Sequence, residues 1–153
     1  MFYVLVYVAA IVAVNIGFSI VPLMDLGSLG MWPPMSIAVG AVFVLRDYAQ
    51  RDVGHHVLYA MAVGIALSYL LADPYVAVAS GIAFAASELA DWALYTVTKR
   101  PFHQRVLLSS LASTPIDSAL FLVLIGHFSV IGVVTMTVSK MLAALIVWRL
   151  STR

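Results

Sequence analysis

Six stretches of nearly unbroken apolar sequence, each about long enough to cross a bilayer, fill this chain and leave only short connections between them. A helix needs about 20 apolar residues to cross the hydrocarbon layer, and the spans fall at about 2–21, 34–50, 56–72, 75–97, 106–127 and 130–149. The breaks carry turn chemistry: Pro22, Gly27, Gly30 and Pro33-Pro34; Gly54; Asp73-Pro74; Pro101; and Gly126 to Ser129. The connection at 22–33 is the longest and has room for a short interfacial segment. The second span is the most polar, with Arg46, Asp47 and Gln50 in its last third. The expectation is an all-α integral membrane protein, with one transmembrane domain over 1–153 forming a compact bundle of six transmembrane helices.

Composition argues the same way. Of 153 residues, 63% are hydrophobic and 10% charged, far from the balance that a soluble core of this length can hide. The formal net charge of +1 offers no basic surface to nucleic acid. There is no cysteine, which excludes disulfides, thiolate metal sites and thiol catalysis. The opening MFYVLVYVAAIVAVNIGFSIV lacks a basic leader and a small-residue cleavage site, so it reads as a retained first span. No H-E-x-x-H, G-x-S-x-G or phosphate-loop motif occurs, so neither an enzyme nor a cofactor is expected. His55-His56 lies at a connection without acidic companions and reads as interfacial.

Orientation follows from lysine and arginine in the short connections. Arg46 and Arg51 fall between spans two and three, Lys99, Arg100 and Arg105 between four and five, and Arg149 and Arg153 after six. The opposite connections carry Asp25, Asp73 and His127 and no lysine or arginine. Both termini are therefore expected on the cytoplasmic side of a plasma (inner) membrane. Small residues four apart, Ala60, Gly64 and Ser68 in span three and Ala77, Gly81 and Ala85 in span four, predict close helix packing. No internal repeat supports an inverted-repeat layout.

Ionisable groups inside a membrane usually face the bundle interior and mark a site. In span four, Phe84, Glu88, Asp91 and Tyr95 share one face, flanked by Ser80 and Ser87. Two carboxylates beside aromatic rings suit a flat, donor-rich ligand or a proton path; the plainer alternative caps Asp91 and Tyr95 with Lys99 and Arg100 at the interface. Span five offers Ser110, Ser113, Thr114, Asp117 and Phe121, with Pro115 freeing the carbonyl of Leu111. The hydroxyls serve either a ligand or their own helix. Lys140 lies ~15 Å deep in span six and needs a partner. Asp117 and Lys140 stand at similar distances from the turn near 128, so antiparallel packing predicts their pairing, with Glu88 a possible third member. Such a pair either sets helix register or takes part in transport. Glu88, Asp91, Asp117 and Asp47 outnumber Lys140 and Arg46 within the bundle. Asn15 and Ser19, four apart on span one, offer ligand contacts or an interhelical hydrogen bond.

The run SELADWALYTVTKRPFHQRVLLSSLASTPIDSALF resembles the queuosine precursor transporters, also called vitamin uptake transporters. The resemblance rests on Ser87 to Asp91, Lys99-Arg100, Ser109 to Thr114, Asp117 and Phe121, with VFVLRDYAQRDVGHH similar to the family's second-helix motif. It covers about residues 42–125 and departs at Arg51, where many members are acidic; the chain is also shorter than typical members. The resemblance implies uptake of 7-cyano-7-deazaguanine or its aminomethyl relative for tRNA modification. For such a base, whose guanine-like donor edge a carboxylate accepts in bidentate fashion, Glu88 is the first choice and Asp117 the second. Phe84, Trp92, Tyr95 or Phe121 would stack on the ring, and Ser110, Ser113, Thr114 and Asn15 would serve its carbonyl and its substituent. Ser87, Asp91 and Lys140 complete the candidate set. The expected partners are the lipid bilayer, this small base and, as an open option, a second copy of the chain. A secondary carrier leads. The alternatives are the substrate-binding subunit of an energy-coupling-factor importer, a small channel or lysis protein, and a membrane-embedded enzyme.

Overall fold

The computed structural model of the chain describes residues 1–98 and 101–151, except for the side chains of 102, 103, 105, 106, 147, 148, 150 and 151. Lys99, Arg100, Arg153 and the side chain of Arg105, which entered the charge argument, lie outside the described residues. The described chain forms α1 (Phe2–Ile20), a short antiparallel pair β1 (Met24–Asp25) and β2 (Met31–Trp32), then α2 (Ser36–Val53), α3 (Val57–Leu71), α4 (Pro74–Val97), α5 (Phe102–Leu124) and α6 (Val130–Ser151).

Local chemistry sets the boundaries. The Asp73 side chain accepts the Val76 N–H at 3.0 Å and Pro74 occupies the first turn, so α4 starts where both signals coincide. Helix α2 ends at Gly54, whose φ of +60° reverses the chain into α3 through one tight turn. Helix α5 opens directly after Pro101, earlier than hydropathy alone suggests, and closes at Leu124 before Gly126 at φ +76°. The long connection holds the β1–β2 hairpin in place of a featureless loop. Trp32 Nε1 donates to Ser139 Oγ at 2.9 Å, which fastens the hairpin to α6.

Successive helices alternate in direction. Near the chain start Tyr3 stacks on Tyr48 at 5.2 Å, whereas Ser19 Oγ accepts the Asp73 N–H at 2.9 Å at the other end of α1. Tyr75 donates to the Leu124 carbonyl at 2.9 Å, joining the start of α4 to the end of α5. One end of the bundle therefore gathers Met1, Gly54, the C-terminal end of α4 and the C-terminal end of α6.

The distribution of polarity is inverted relative to a water-soluble protein. Leu5, Tyr59, Val63, Leu70, Ile82, Leu111, Val134 and Ile146 face outward. Arg46, Asp47, Glu88, Asp91, Asp117 and Lys140 face inward. Only a lipid solvent makes that arrangement favourable. Among the described residues, four helical stretches are long and apolar enough to cross a membrane: Phe2–Ile20, Ser36–Leu71 (which joins α2 and α3), Pro74–Val97 and Leu107–Leu124. A shorter apolar stretch follows at Val130–Ile146. These are the dimensions of a membrane protein.

Close approach is built in at glycine. A Cβ on Gly40 would collide with the Lys140 carbonyl oxygen and stand 2.9 Å from Ala143 Cβ, so α2 and α6 touch backbone to backbone.

Candidate functional site

The polar interior divides into two clusters. The first surrounds Arg46, which hydropathy had counted among the basic residues of the connection. It lies inside α2 and is 1% exposed. Its guanidinium reaches Asp47 Oδ1 at 2.7 Å, Gln50 Oε1 at 2.7 Å and Glu88 Oε2 at 2.8 Å, and pairs with Asp91. Tyr7 donates to the same Glu88 oxygen at 3.0 Å. One planar, five-donor cation thus binds α2 to α4, with α1 fastened on through Tyr7. The cluster lies about 10 Å from the end of the bundle that carries Met1 and Gly54. One expectation changes here: Glu88 joins Arg46 and Tyr7 instead of the Asp117–Lys140 pair. Asp91 pairs with Arg46, and Lys99 and Arg100, which the plainer alternative placed on it, lie outside the described residues.

The second cluster lies at mid-depth, where the antiparallel geometry of α5 and α6 brings Asp117 and Lys140 together. Lys140 is 0% exposed; its ammonium pairs with Asp117 Oδ2 and donates to Ser118 Oγ at 2.9 Å. Ser87 Oγ lies 3.5 Å from Asp117 Oδ1 and 3.0 Å from the Phe84 carbonyl, and its one proton serves one or the other. The pair forms part of the wall of a cavity of about 20 Å³, room for about one water molecule. Phe18, Phe84 and Phe121 line it with Asn15 and Ser80, closed in by Val39, Val42 and Met136. Phe18 packs on Phe121 with ring centres 5.0 Å apart, and Phe84 lies 6.1 Å from Phe43.

The thirteen candidates therefore separate. Asn15, Phe84, Asp117, Phe121 and Lys140 meet at the cavity, and Ser87 supports Asp117 from behind. Ser113 and Thr114 donate to the Ser110 carbonyl of their own helix, at 3.4 and 2.8 Å, and neither they nor Ser110 reach the lining. Leu111, whose carbonyl Pro115 frees, is exposed and does not line the cavity. Tyr95 is buried away from it. Trp92 is half-buried at the rim and donates to His55 Nδ1 at 2.9 Å, too peripheral to stack on a ligand there.

Sequence reasoning missed Phe18, Tyr7 and the anchoring role of Gln50. Arg46 and Gln50 are four apart on α2, the spacing of one helical face, and four carboxylates against two cations within the bundle call for such an anchor. That was the available signal. Among the described residues no group of His, Asp and Glu is placed to hold a metal ion. No known family profile matches the chain, and comparisons with curated proteins and with solved structures find no significant match.

Proposed function

We propose that this protein is a membrane carrier for a 7-deazaguanine-type base, a queuosine precursor, and that the Asp117–Lys140 pair is its recognition element. The pair itself carries the argument. A guanine-like edge presents a carbonyl oxygen, a ring N–H and an amino group in a row. A carboxylate beside an ammonium presents the complement, acceptors next to donors. The ligand would take the place of the direct ion pair, with its carbonyl on Lys140 and its two donors on Asp117. Phe84, Phe121 and Phe18 supply flat apolar surface for the ring. This moves the first role from Glu88 to Asp117, because Arg46 and Tyr7 already hold Glu88.

In the conformation described, the cavity is far smaller than a purine-sized ring, so admission of the base requires α5 and α6 to separate. All six helices span the membrane in this proposal, with both termini on the cytoplasmic side. Support comes from the alternating helix directions and from exposed Arg51 and Arg149 at one end against Asp25 and Asp73 at the other. A shut, pair-lined cavity also favours a carrier over a channel or lysis protein.

The test uses bacteria unable to make queuosine or to import its precursor. The chain is expressed, low concentrations of 7-cyano-7-deazaguanine are supplied, and queuosine in tRNA is measured. Restoration that Asp117→Asn and Lys140→Met abolish at equal membrane levels is the expected result. Absence of restoration by a well-inserted protein would overturn the assignment of substrate.

A further inference from the structure

Asn15 is 5% exposed and its amide is tied down by a chain of hydrogen bonds. Ser68 Oγ spends its one proton on the Gly64 carbonyl at 2.8 Å, so towards Asn15 it can only accept. Asn15 Nδ2 accordingly donates to Ser68 Oγ at 3.2 Å and to the Ile11 carbonyl at 3.0 Å. Both amide protons are used, and the orientation of the group is fixed. Its oxygen Oδ1 is buried without a hydrogen-bond partner, on a residue that lines the cavity. A buried unpaired acceptor is costly and calls for an explanation. The sequence had offered Asn15 for the carbonyl and the substituent of the base; with both amide protons used, Asn15 can only accept, so it cannot serve the carbonyl.

The donor inventory of a 7-deazaguanine base matches the two acceptors, an argument that rests on the proposed function. The base has a ring N–H and an amino group side by side, which suit a two-oxygen carboxylate such as Asp117. It has one further, isolated ring N–H in the five-membered ring. A single neutral oxygen on another helix suits that isolated donor. In a nucleoside this same nitrogen carries the sugar and has no proton to give.

We infer that Asn15 Oδ1, held in place by Ser68, accepts the isolated ring N–H of the base and makes the cavity selective for free bases over nucleosides. Ser68 does not line the cavity and acts as a positioning residue.

The experiment measures binding to the full chain in lipid nanodiscs. The probes are 7-cyano-7-deazaguanine and the same base methylated at the isolated ring nitrogen, which removes the donor with little added bulk. Wild type should bind the methylated base about 10–100-fold more weakly, the range for leaving a buried acceptor unpaired. In Asn15→Leu the preference should collapse towards unity. In Ser68→Ala it should fall while the protein still folds, because the amide is then free to turn; this variant carries the test if Asn15→Leu does not insert. Equal wild-type affinities for both probes would overturn the inference and leave the carrier proposal standing. So would an undiminished preference in Ser68→Ala with Asn15→Leu absent or unchanged. If wild type binds neither probe, the carrier proposal falls and this inference falls with it.

Discussion

Removing one member of the Asp117–Lys140 pair should be far more damaging than removing both. Lys140 is 0% exposed and its ammonium has two oxygen partners, Asp117 Oδ2 and Ser118 Oγ. Without Lys140, the one side-chain donor left to Asp117 among the described residues is Ser87 Oγ at 3.5 Å, whose proton the Phe84 carbonyl also draws. Two unit charges 4 Å apart attract by about 4 kcal/mol at an effective dielectric of about 20, and the partners here are closer than that. Breaking a buried pair from one side accordingly costs on the order of 3–5 kcal/mol, whereas replacing both members by apolar groups of similar volume is near neutral. The assay is a double-mutant cycle of Lys140→Met, Asp117→Leu and the double variant, read by reversible unfolding in bicelles titrated with dodecyl sulfate. Each single change should cost about 3–5 kcal/mol and the double change less than either. Additive costs would refute the reasoning, because they would mean that the two charges do not feel one another across the α5–α6 interface.

Arg46→Lys should destabilise by on the order of 3 kcal/mol in the same assay, because a single ammonium cannot replace the fork that holds Asp47, Gln50, Glu88 and Asp91; wild-type stability would contradict this. Gly40→Ala should cost about 1–3 kcal/mol or more through its clash with the α6 backbone. Gly64→Ala should cost less, since the nearest atom to its new Cβ is the flexible Ile11 Cδ1 at 2.7 Å; thermal melting of the two variants would show the order, and the reverse order would rule the argument out. The chain has no cysteine, so single cysteines report topology cleanly. With both termini inside, Asp25→Cys should label with a membrane-impermeant maleimide on intact cells and Arg51→Cys only after permeabilisation, whereas the opposite pattern would invert the proposed orientation.

Much of the architecture was legible because lipid imposes a one-dimensional rule, about twenty apolar residues per crossing. The depth of Lys140 and its equal spacing with Asp117 from one turn were enough to predict their pairing. The inward face of α4 was legible from periodicity alone. Partners on helices distant in sequence were not. Periodicity shows that Glu88 faces inward but not that α2 brings Arg46 to meet it, since that depends on the Gly54 reversal and on which helices neighbour α4. Arg46 looked like a connection charge because it stands near Asp47, Gln50 and Arg51, a polar run that resembles a helix end. The serine-rich stretch of α5 was ambiguous for a local reason: Ser113 and Thr114 find an acceptor one turn back, which no other helix need supply.

The contact at Gly40 has a mechanical consequence. Two helices whose backbones touch cannot roll past each other without a collision, so α2 and α6 behave as a single stiff beam, with the hairpin bolted to it through Trp32 and Ser139. Lys140 rides on that beam and Asp117 on α5 beside it. A swing of α5 away from the beam must therefore stretch the ionic link between Asp117 and Lys140. The gap between beam and α5 is the seam of the molecule, and a molecule able to bridge it with both donors and acceptors lowers the work of opening.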